Sequence, residues 1–345
     1  MTDWTVLPAH ALAEAIRRGD VSAGEVLEAH LQRIREVNPR LNAVVDLAED
    51  EARAAAAEAG RRLEQGRPVG PLHGVPFTVK DWIEVAGRRC TGGMVEHLEH
   101  VPSTDATVVA RMRAAGAIFL GKTNPMSGNV VHGLTENPYR LGYGPAGSSS
   151  GEAAIIAAHG SPLGLGSDSG GSIRQPAHAC GIAGLKPTSG RVPLTGHMPF
   201  ICALSDPRTV IGPMARTVAD LELALGVIAG PDWRDPSVAP VPLGPSADVP
   251  LAGLRVAWYT AHPGGADPGP DMARGVDRAA AALAEAGARV QGALPPRVEE
   301  TYAITRAYWR RQESQSADEW TPSGVFASER GPLTAAFRSI REAGG

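Results

Sequence analysis

The sequence predicts an α/β fold in which a central mixed, largely parallel β-sheet is covered by helices on both faces. Short apolar segments typical of buried strands alternate along the chain with segments whose apolar residues recur at helical spacing. Such alternation is typical of sheets whose strands are joined by helices. The 345 residues, 43% of them hydrophobic, suffice for one large or two medium domains, and they contain no internal repeat.

The first third of the chain carries clear helix signals. Ser22 and Glu25 have the spacing of a capping box and open an amphipathic helix, which Pro39 is predicted to end. The other elements predicted here are, in chain order, a helix at residues 8–18, a strand at 41–47, a helix at 49–66 and a strand at 74–81.

The middle of the chain continues this alternation and is interrupted by one long loop. Residues 137–151 are rich in Gly, Pro and Ser and have little apolar periodicity, so we predict a loop there. The predicted elements around it are a helix at residues 105–116, a strand at 117–121, a helix at 152–159, a strand at 163–166 and a helix at 217–229.

A Pro-rich stretch suggests how the chain is organised into domains. Residues 231–250 contain many prolines and are predicted to be a linker. We therefore expect a core at residues 1–230 and a C-terminal α/β extension at residues 251–345 that packs on the same domain. The elements predicted in this extension are a strand at 254–259 and helices at 271–288 and 298–311.

Charge and cysteine content exclude several classes of function. A net charge of −4 and a pI near 6.2 offer no basic surface for nucleic acid or an anionic membrane. No apolar run has the roughly 18 residues of a membrane helix, and the N-terminal segment lacks the apolar core of a secretory signal. Cys90, Cys180 and Cys202 have neither metal-ligand spacing nor the even number of a disulfide framework. We expect a cytoplasmic protein without a metal site.

Three familiar motifs occur, but their surroundings argue against each. Residues 116–123 match the GxxxxGK[ST] pattern of phosphate-binding loops, yet their middle residues form an apolar strand rather than a loop. Ser149 is central in a G-x-S-x-G match, but no apolar strand precedes it, as a nucleophile elbow requires. Asp168 and Ser169 begin a DSGG sequence like that of trypsin-type proteases, but the chain lacks their all-β pattern.

One lysine and two serine-rich loops remain as candidates for chemistry. Lys80 ends an apolar strand, where burial would lower its pKa and let it act as a base. The loops GPAGSSSGE (144–152) and GSDSGGSIRQ (166–175) offer serine nucleophiles and clustered backbone N–H groups for an oxyanion. The residues alone leave two interpretations open: a Ser–Lys catalytic arrangement, or glycine–serine loops that only turn the chain.

Taken together, these segments and their neighbours resemble the amidase signature family. The segments are PLHGVPFTVKD, GKTN and GPAGSSSGEAAIIAAHGSPLGLGSDSGGSIRQPAHACGIAGLKPTSGRVP, and the resemblance runs from about residue 5 to about residue 230. It is closer to the general and fatty-acid-amide branch of the family than to the tRNA-linked branch. The resemblance implies that residues 1–230 form the family's core, and that the protein hydrolyses a linear carboxylic amide, a small molecule, without a cofactor.

The resemblance also implies roles for individual residues. Lys80 matches the family's basic lysine, Ser148 the serine that follows a cis peptide bond, and Ser172 the nucleophile. In the implied mechanism neutral Lys80 withdraws a proton through Ser148 while Ser172 attacks the amide carbonyl. Backbone N–H groups next to the nucleophile would bind the oxyanion, at Ser169, Gly170 and Gly171. Supporting roles fall to three more residues, Ser149 in the hydrogen-bond network and Asp168 and Arg174 as an ion pair.

The chain departs from the family pattern in two respects. Ala146 and Ser150 stand where the family usually has glycines, and the chain ends well before family members generally do. Two alternatives to a simple amidase therefore stay open: a glutamine-hydrolysing A-type subunit of an amidotransferase, and a shortened family member that is catalytically impaired or silent. A homodimer, which would cover faces left bare by a short C-terminal part, is the candidate assembly.

Overall fold

The computed structural model describes residues 2–126, 128–201, 206–263 and 268–313 of the chain. Two compact units are distinguished, Met1–Leu243 and Gly244–Gly345. The predicted division into a core, a linker and a packed extension stays a prediction. Cys202 lies outside the described residues. Within the described residues, no helix is both long and apolar enough to cross a membrane.

A six-stranded mixed sheet forms the centre of the first unit. The strands of the described chain are β1 (Val44–Leu47), β2 (Pro76–Lys80), β3 (Ile118–Thr123), β4 (Gly128–Asn129), β5 (Gly133–Leu134), β6 (Leu163–Asp168), β7 (Ala183–Gly184), β8 (Val210–Ala215), β9 (Arg255–Trp258) and β10 (Arg289–Gly292). The sheet has the order β1-β3-β2-β6-β8-β7, with β3, β2 and β6 parallel at its centre and antiparallel pairs outside them. The predicted α/β class with a mixed sheet is confirmed.

Helices join most of these strands. They are α1 (Ala9–Arg18), α2 (Ala23–Leu41), α3 (Glu49–Glu64), α4 (Thr107–Ala114), α5 (Ser150–Ala157), α6 (Arg174–Ala179), α7 (Val218–Ile228), α8 (Pro270–Glu285) and α9 (Glu300–Glu313). The predicted capping box is confirmed at the start of α2, where Ser22 Oγ accepts from the Glu25 N–H at 3.1 Å and the Glu25 carboxylate accepts from the Ser22 N–H at 2.9 Å.

The central strands present different residues to helices on their two faces. Thr78 of β2 donates a hydrogen bond to Glu152 of α5, which places α5 on the face of Thr78. The neighbouring Phe77 packs edge-on against Phe119 of β3, and Arg113 of α4 lies over the Phe119 ring at 5.3 Å. Because successive strand residues point to opposite faces, α5 and α4 cover opposite sides of the sheet.

Strand β8 was not predicted from the sequence. Its residues read VIGPMA, and a glycine followed by a proline is normally a sign against a central strand. Pro213 nevertheless lies within the sheet, where it pairs with Leu165 of β6 and its carbonyl accepts from the Leu185 N–H at 3.1 Å. Gly212 is needed because a Cβ there would lie 2.1 Å from the Leu185 carbonyl oxygen.

Three further predictions differ from the structure. Pro39 does not end α2, which continues to Leu41, because a proline in the last turn loses only one hydrogen bond and Asn42 closes the helix in a left-handed conformation. The predicted loop at 137–151 stops earlier, since α5 already begins at Ser150. The short helix α6 was not predicted, because its proline and flanking glycines resemble a loop.

The second unit contains a β-α-β arrangement. Strands β9 and β10 pair in parallel, and α8 connects them in sequence. The sequence predicted β9 and α8 within a few residues of their bounds. It did not reveal β10, because RVQG alternates too briefly to give a strand signal.

A buried carboxylate joins the N-terminal ends of α1 and α7. The fully buried side chain of Asp220 accepts from the N–H groups of Ala9 and His10 at 3.1 and 2.9 Å, and from the Thr217 hydroxyl at 2.8 Å. Negative charge is favourable at a helix N-terminus, and here a single carboxylate serves two of them.

We predict that Asp220→Ala lowers the free energy of unfolding by about 3 kcal/mol, because it leaves donors of two helices, the buried Ala9 N–H among them, without an acceptor. Urea denaturation measures this change. The matched control is Asp50→Ala on the exposed first turn of α3, which should cost less than about 0.5 kcal/mol. Equal losses in the two variants would contradict the proposed link.

Candidate functional site

The candidate site is centred on the amine of Lys80, at the carboxyl end of β2. This side chain is fully buried in the sheet. Its Nζ lies 2.7 Å from Ser148 Oγ and 3.1 Å from Ser167 Oγ, and 4.4 Å from the centre of the Trp82 ring. Two serine hydroxyls and an aromatic face therefore replace the water that a surface lysine would have.

The burial of Lys80 changes its acid–base behaviour. Loss of hydration lowers the pKa of Lys80 to about 7, although the negative charge of Asp168, and that of Glu152 when it is ionised, act in the opposite direction. A large fraction of the amine is therefore uncharged near neutral pH. An uncharged amine at hydrogen-bond distance from a hydroxyl can accept that hydroxyl's proton.

The first serine loop leads from the surface into α5. Its Gly147–Ser148 peptide bond is cis, and the Ser148 carbonyl accepts from the Met126 N–H at 2.7 Å. The hydroxyl of Ser149 donates to the Ser167 carbonyl at 3.2 Å. The Ser149 N–H donates to the Ser172 carbonyl at 3.0 Å, which ties this loop to the second serine loop.

The second serine loop is organised around Asp168, the last residue of β6. Its buried carboxylate accepts from the backbone N–H groups of Gly171 and Ile173 at 2.7 and 3.1 Å. It also forms a two-point ion pair with the Arg174 guanidinium at 2.9 and 3.0 Å. Burial raises the pKa of this carboxyl, but the Arg174 and backbone hydrogen bonds outweigh burial and hold it below its usual value. The loop thus folds around a charged carboxylate.

The remaining loop residues lie between Asp168 and α6. Ser172 is half-buried and Gly170 is exposed. The Ser169 hydroxyl pairs with the Thr209 hydroxyl at 2.6 Å, and Thr209 donates to Asp206 at 2.6 Å. The N–H of Gly171 already donates to Asp168, whereas those of Ser169, Gly170 and Ser172 have no acceptor among the described residues.

Some of the sequence-predicted site residues are in contact in the structure, and others are not. Lys80 and Ser148 are in direct contact, and Ser149 contacts the Ser172 backbone. Within the described residues, no hydrogen bond joins the hydroxyls of Ser148 and Ser172. No group of three or more His, Cys, Asp or Glu side chains in the described chain is arranged to hold a metal ion.

Sequence reasoning missed three residues that surround Lys80. Trp82 follows it by two positions, and Ser167 follows the short apolar alternation of β6, so both could have been noted from their spacing. Glu152 is the single carboxylate in the first turn of the otherwise apolar helix α5, and nothing in the local sequence indicates that it is completely buried.

The chain resembles known proteins over most of its length. The sequence profile of the Amidase family matches residues 25–329, a range that contains every candidate residue. Acylamidase of Rhodococcus erythropolis is 38% identical over 333 residues, covering 94% of this chain and 66% of that protein. The A-type subunit of glutamyl-tRNA(Gln) amidotransferase from Chloroflexus aurantiacus is 44% identical over 248 residues, 70% of this chain and 50% of that protein. The chain thus spans between half and two thirds of these curated relatives.

The fold is also found in solved structures. A fatty acid amide hydrolase structure aligns with a TM-score of 0.77 and 31% sequence identity, covering 90% of this chain and 57% of the other. The resemblance in sequence and the resemblance in fold therefore point to the same family.

We predict that Asp168→Ala lowers the free energy of unfolding by about 3 kcal/mol, whereas Arg174→Ala lowers it by about 1 kcal/mol. Removing the carboxylate leaves the backbone donors of the loop unpaired, whereas removing the half-exposed guanidinium leaves them bonded to Asp168. Urea denaturation of the two variants checks this order. A larger loss in Arg174→Ala would show that the ion pair, rather than the backbone contacts, organises the loop.

Proposed function

Since the chain belongs to the amidase family, we propose that it hydrolyses a linear carboxylic amide to a carboxylic acid and an amine or ammonia. The observation that carries this proposal is the 2.7 Å contact between the buried Lys80 amine and the Ser148 hydroxyl, in a loop bonded to Ser172. A buried lysine amine, uncharged in a large fraction of molecules near neutral pH and next to serine hydroxyls, can activate a serine nucleophile.

The proposed first half-reaction forms an acyl-enzyme. Lys80 Nζ takes the proton of the Ser148 hydroxyl, and Ser148 Oγ takes the proton of the Ser172 hydroxyl. Ser172 Oγ forms a bond to the amide carbonyl carbon. When the tetrahedral intermediate collapses, the C–N bond breaks and the same groups return the proton to the leaving amine. The hydrogen bond between Ser148 and Ser172 would form as substrate positions the nucleophile.

The second half-reaction releases the acid. A water molecule gives a proton to the same relay and attacks the acyl carbon. The Ser172 ester bond then breaks as the relay returns that proton to Ser172 Oγ, which restores neutral Lys80. Backbone N–H groups of Ser169, Gly170 and Gly171 are the proposed oxyanion donors. Because the Gly171 N–H is bonded to Asp168, the N–H groups of Ser169 and Gly170 are the ones of these three that remain free, within the described part of the chain, to bind an oxyanion. Ser149, Asp168 and Arg174 hold the loops.

The substrate class is proposed from the resemblance. Similarity to an acylamidase and to a fatty acid amide hydrolase supports an amide of the general or fatty-acyl type. We place the protein in the cytoplasm, which the buried free thiols of Cys90 and Cys180 support. The homodimer stays a prediction.

A second candidate function follows from the similarity to an A-type amidotransferase subunit. In that case the same lysine and serines would hydrolyse glutamine and pass ammonia to a partner protein. Co-expression with such a partner, followed by a glutaminase assay, separates the two. Turnover of simple amides by the chain alone favours the amidase, and glutamine hydrolysis that requires a partner favours the amidotransferase.

We predict that Ser172→Ala abolishes turnover of aryl and short aliphatic amides, and that Lys80→Ala and Ser148→Ala lower kcat by about a thousandfold or more. The nucleophile is lost in the first variant and the proton relay in the others. Product formation followed by mass spectrometry measures these effects. Ser103→Ala, at an exposed serine, is the control and should retain full activity. Unchanged turnover in Ser172→Ala would refute the assignment of the nucleophile.

The lowered pKa of Lys80 sets the expected pH dependence. As the pH falls below about 7 the amine takes a proton, so the base form is lost and kcat/KM should fall about tenfold per pH unit. A pH–rate profile measures this limb. Lys80→Arg, whose guanidinium stays charged, should be inactive across the range. A wild-type profile that is flat between pH 5 and 8 would be inconsistent with Lys80 as the base.

A further inference from the structure

A carboxyl group that the proposed mechanism does not use is enclosed behind Lys80. The Glu152 side chain at the start of α5 is fully buried. Its Oε2 accepts from the Thr123 hydroxyl at 2.8 Å, and its Oε1 is hydrogen-bonded to the Thr78 hydroxyl. Buried carboxyl groups are rare without a cationic partner, and no ion pair of Glu152 occurs among the described residues.

This carboxyl group spans the three central strands. Thr78 lies two residues before Lys80 on the same face of β2, and Thr123 of β3 lies directly opposite Lys80 in the ladder. On β6, a Cβ at Gly164 would lie 1.6 Å from Glu152 Oε1, so the absence of a side chain at Gly164 makes room for the carboxyl group. Glu152 therefore bonds to β2 and β3 and packs against β6, the strand that ends in Asp168.

We propose that Glu152 is a positioning residue for Lys80 that acts in its protonated, uncharged form. It holds β2 and β3 through Thr78 and Thr123 and packs against Gly164 of β6, without placing a negative charge beside the amine. The role in turnover rests on the proposed amidase function. An ionised carboxylate here would favour the ammonium form of Lys80, which cannot accept a proton. An uncharged carboxylic acid keeps the hydrogen bonds and leaves the amine available.

The surroundings of Glu152 agree with an uncharged group. Burial raises the pKa of Glu152 to about 8, and the hydrogen bonds from Thr78 and Thr123 and the charge of Lys80 only partly oppose it. On the packed strands, β8 carries no titratable residue and Lys122 of β3 directs its ammonium to Asp81 at 3.2 Å. His30 of α2 is bonded to the Val26 carbonyl, and Asp168 of β6 is bonded to Arg174. Among the described residues, Lys80 is the titratable group whose charge state acts on Glu152.

The test uses Glu152→Gln, which keeps the size and hydrogen bonding of the protonated carboxyl group but cannot ionise. Its kcat/KM at pH 7 and the acidic limb of its pH profile should stay within about threefold of wild type. Glu152→Leu, which leaves both threonine hydroxyls unpaired, should lose about tenfold or more in kcat/KM, the cost of a misplaced catalytic group. The control is Glu14→Gln on the exposed face of α1, which should change nothing.

A second measurement does not depend on turnover. The chain has three lysines, Lys80, Lys122 and Lys186, so NMR of lysine labelled at Cε can follow each, with Lys80→Met identifying its signal. In Glu152→Gln the pKa of Lys80 should stay within about half a unit of wild type, whereas removing a carboxylate that is charged in wild type would lower it by about one unit or more.

The outcomes separate this inference from the proposed function. An unchanged Lys80 pKa together with retained turnover in Glu152→Gln supports the proposal. A Lys80 pKa lowered by a unit, or a Glu152→Gln variant as slow as Glu152→Leu, overturns it. If the wild type hydrolyses no amide, the proposed function fails together with the role of Glu152 in turnover, and the NMR titration still decides whether Glu152 is charged.

Discussion

A lysine amine that is fully buried loses its hydration, and the candidate site depends on how the fold accommodates that loss at Lys80. The amine is held by the hydroxyls of Ser148 and Ser167 and the face of Trp82, which solvate it without a formal charge. Between pH 7 and 10.5 the unfolded lysine keeps a proton that the folded one has released. The free energy of unfolding that depends on Lys80 therefore rises with pH across that window. Near neutral pH, burying this lysine still destabilises the folded state.

The central parallel strands determine what can surround that amine. Lys80 at the end of β2 and Ser167 and Asp168 at the end of β6 lie at the same edge of the sheet, because the carboxyl ends of parallel strands lie together. The loop before α5 brings Ser148 to the same edge, and Asp168 shapes the loop that carries Ser172. The arrangement is the kind on which serine hydrolases rely: a nucleophile, a proton acceptor and backbone donors on rigid elements.

Much of this fold was predicted from the sequence, because elements with a strong apolar pattern, such as α2 and β3, can be recognised from their own residues alone. The sequence also indicated that Lys80 ends a strand, and the family resemblance indicated Ser148 and Ser172 as catalytic candidates. Strand β8 was missed because a glycine and a proline stand in its middle, and its place between β6 and β7 is set by pairing with residues distant in the chain. The position of Glu152 behind Lys80 likewise depends on the pairing of Thr78 with Gly164 between β2 and β6, which no local pattern encodes.

The identity of the reactive serine is the most direct test of this mechanism. Incubating the protein with a fluorophosphonate, digesting it and locating the adduct by mass spectrometry identifies that serine without any knowledge of the substrate. We expect one adduct, on Ser172, which forms more slowly as the pH falls below 7 because Lys80 becomes protonated. An adduct on Ser148 or Ser149, or no adduct at any pH, would contradict the mechanism.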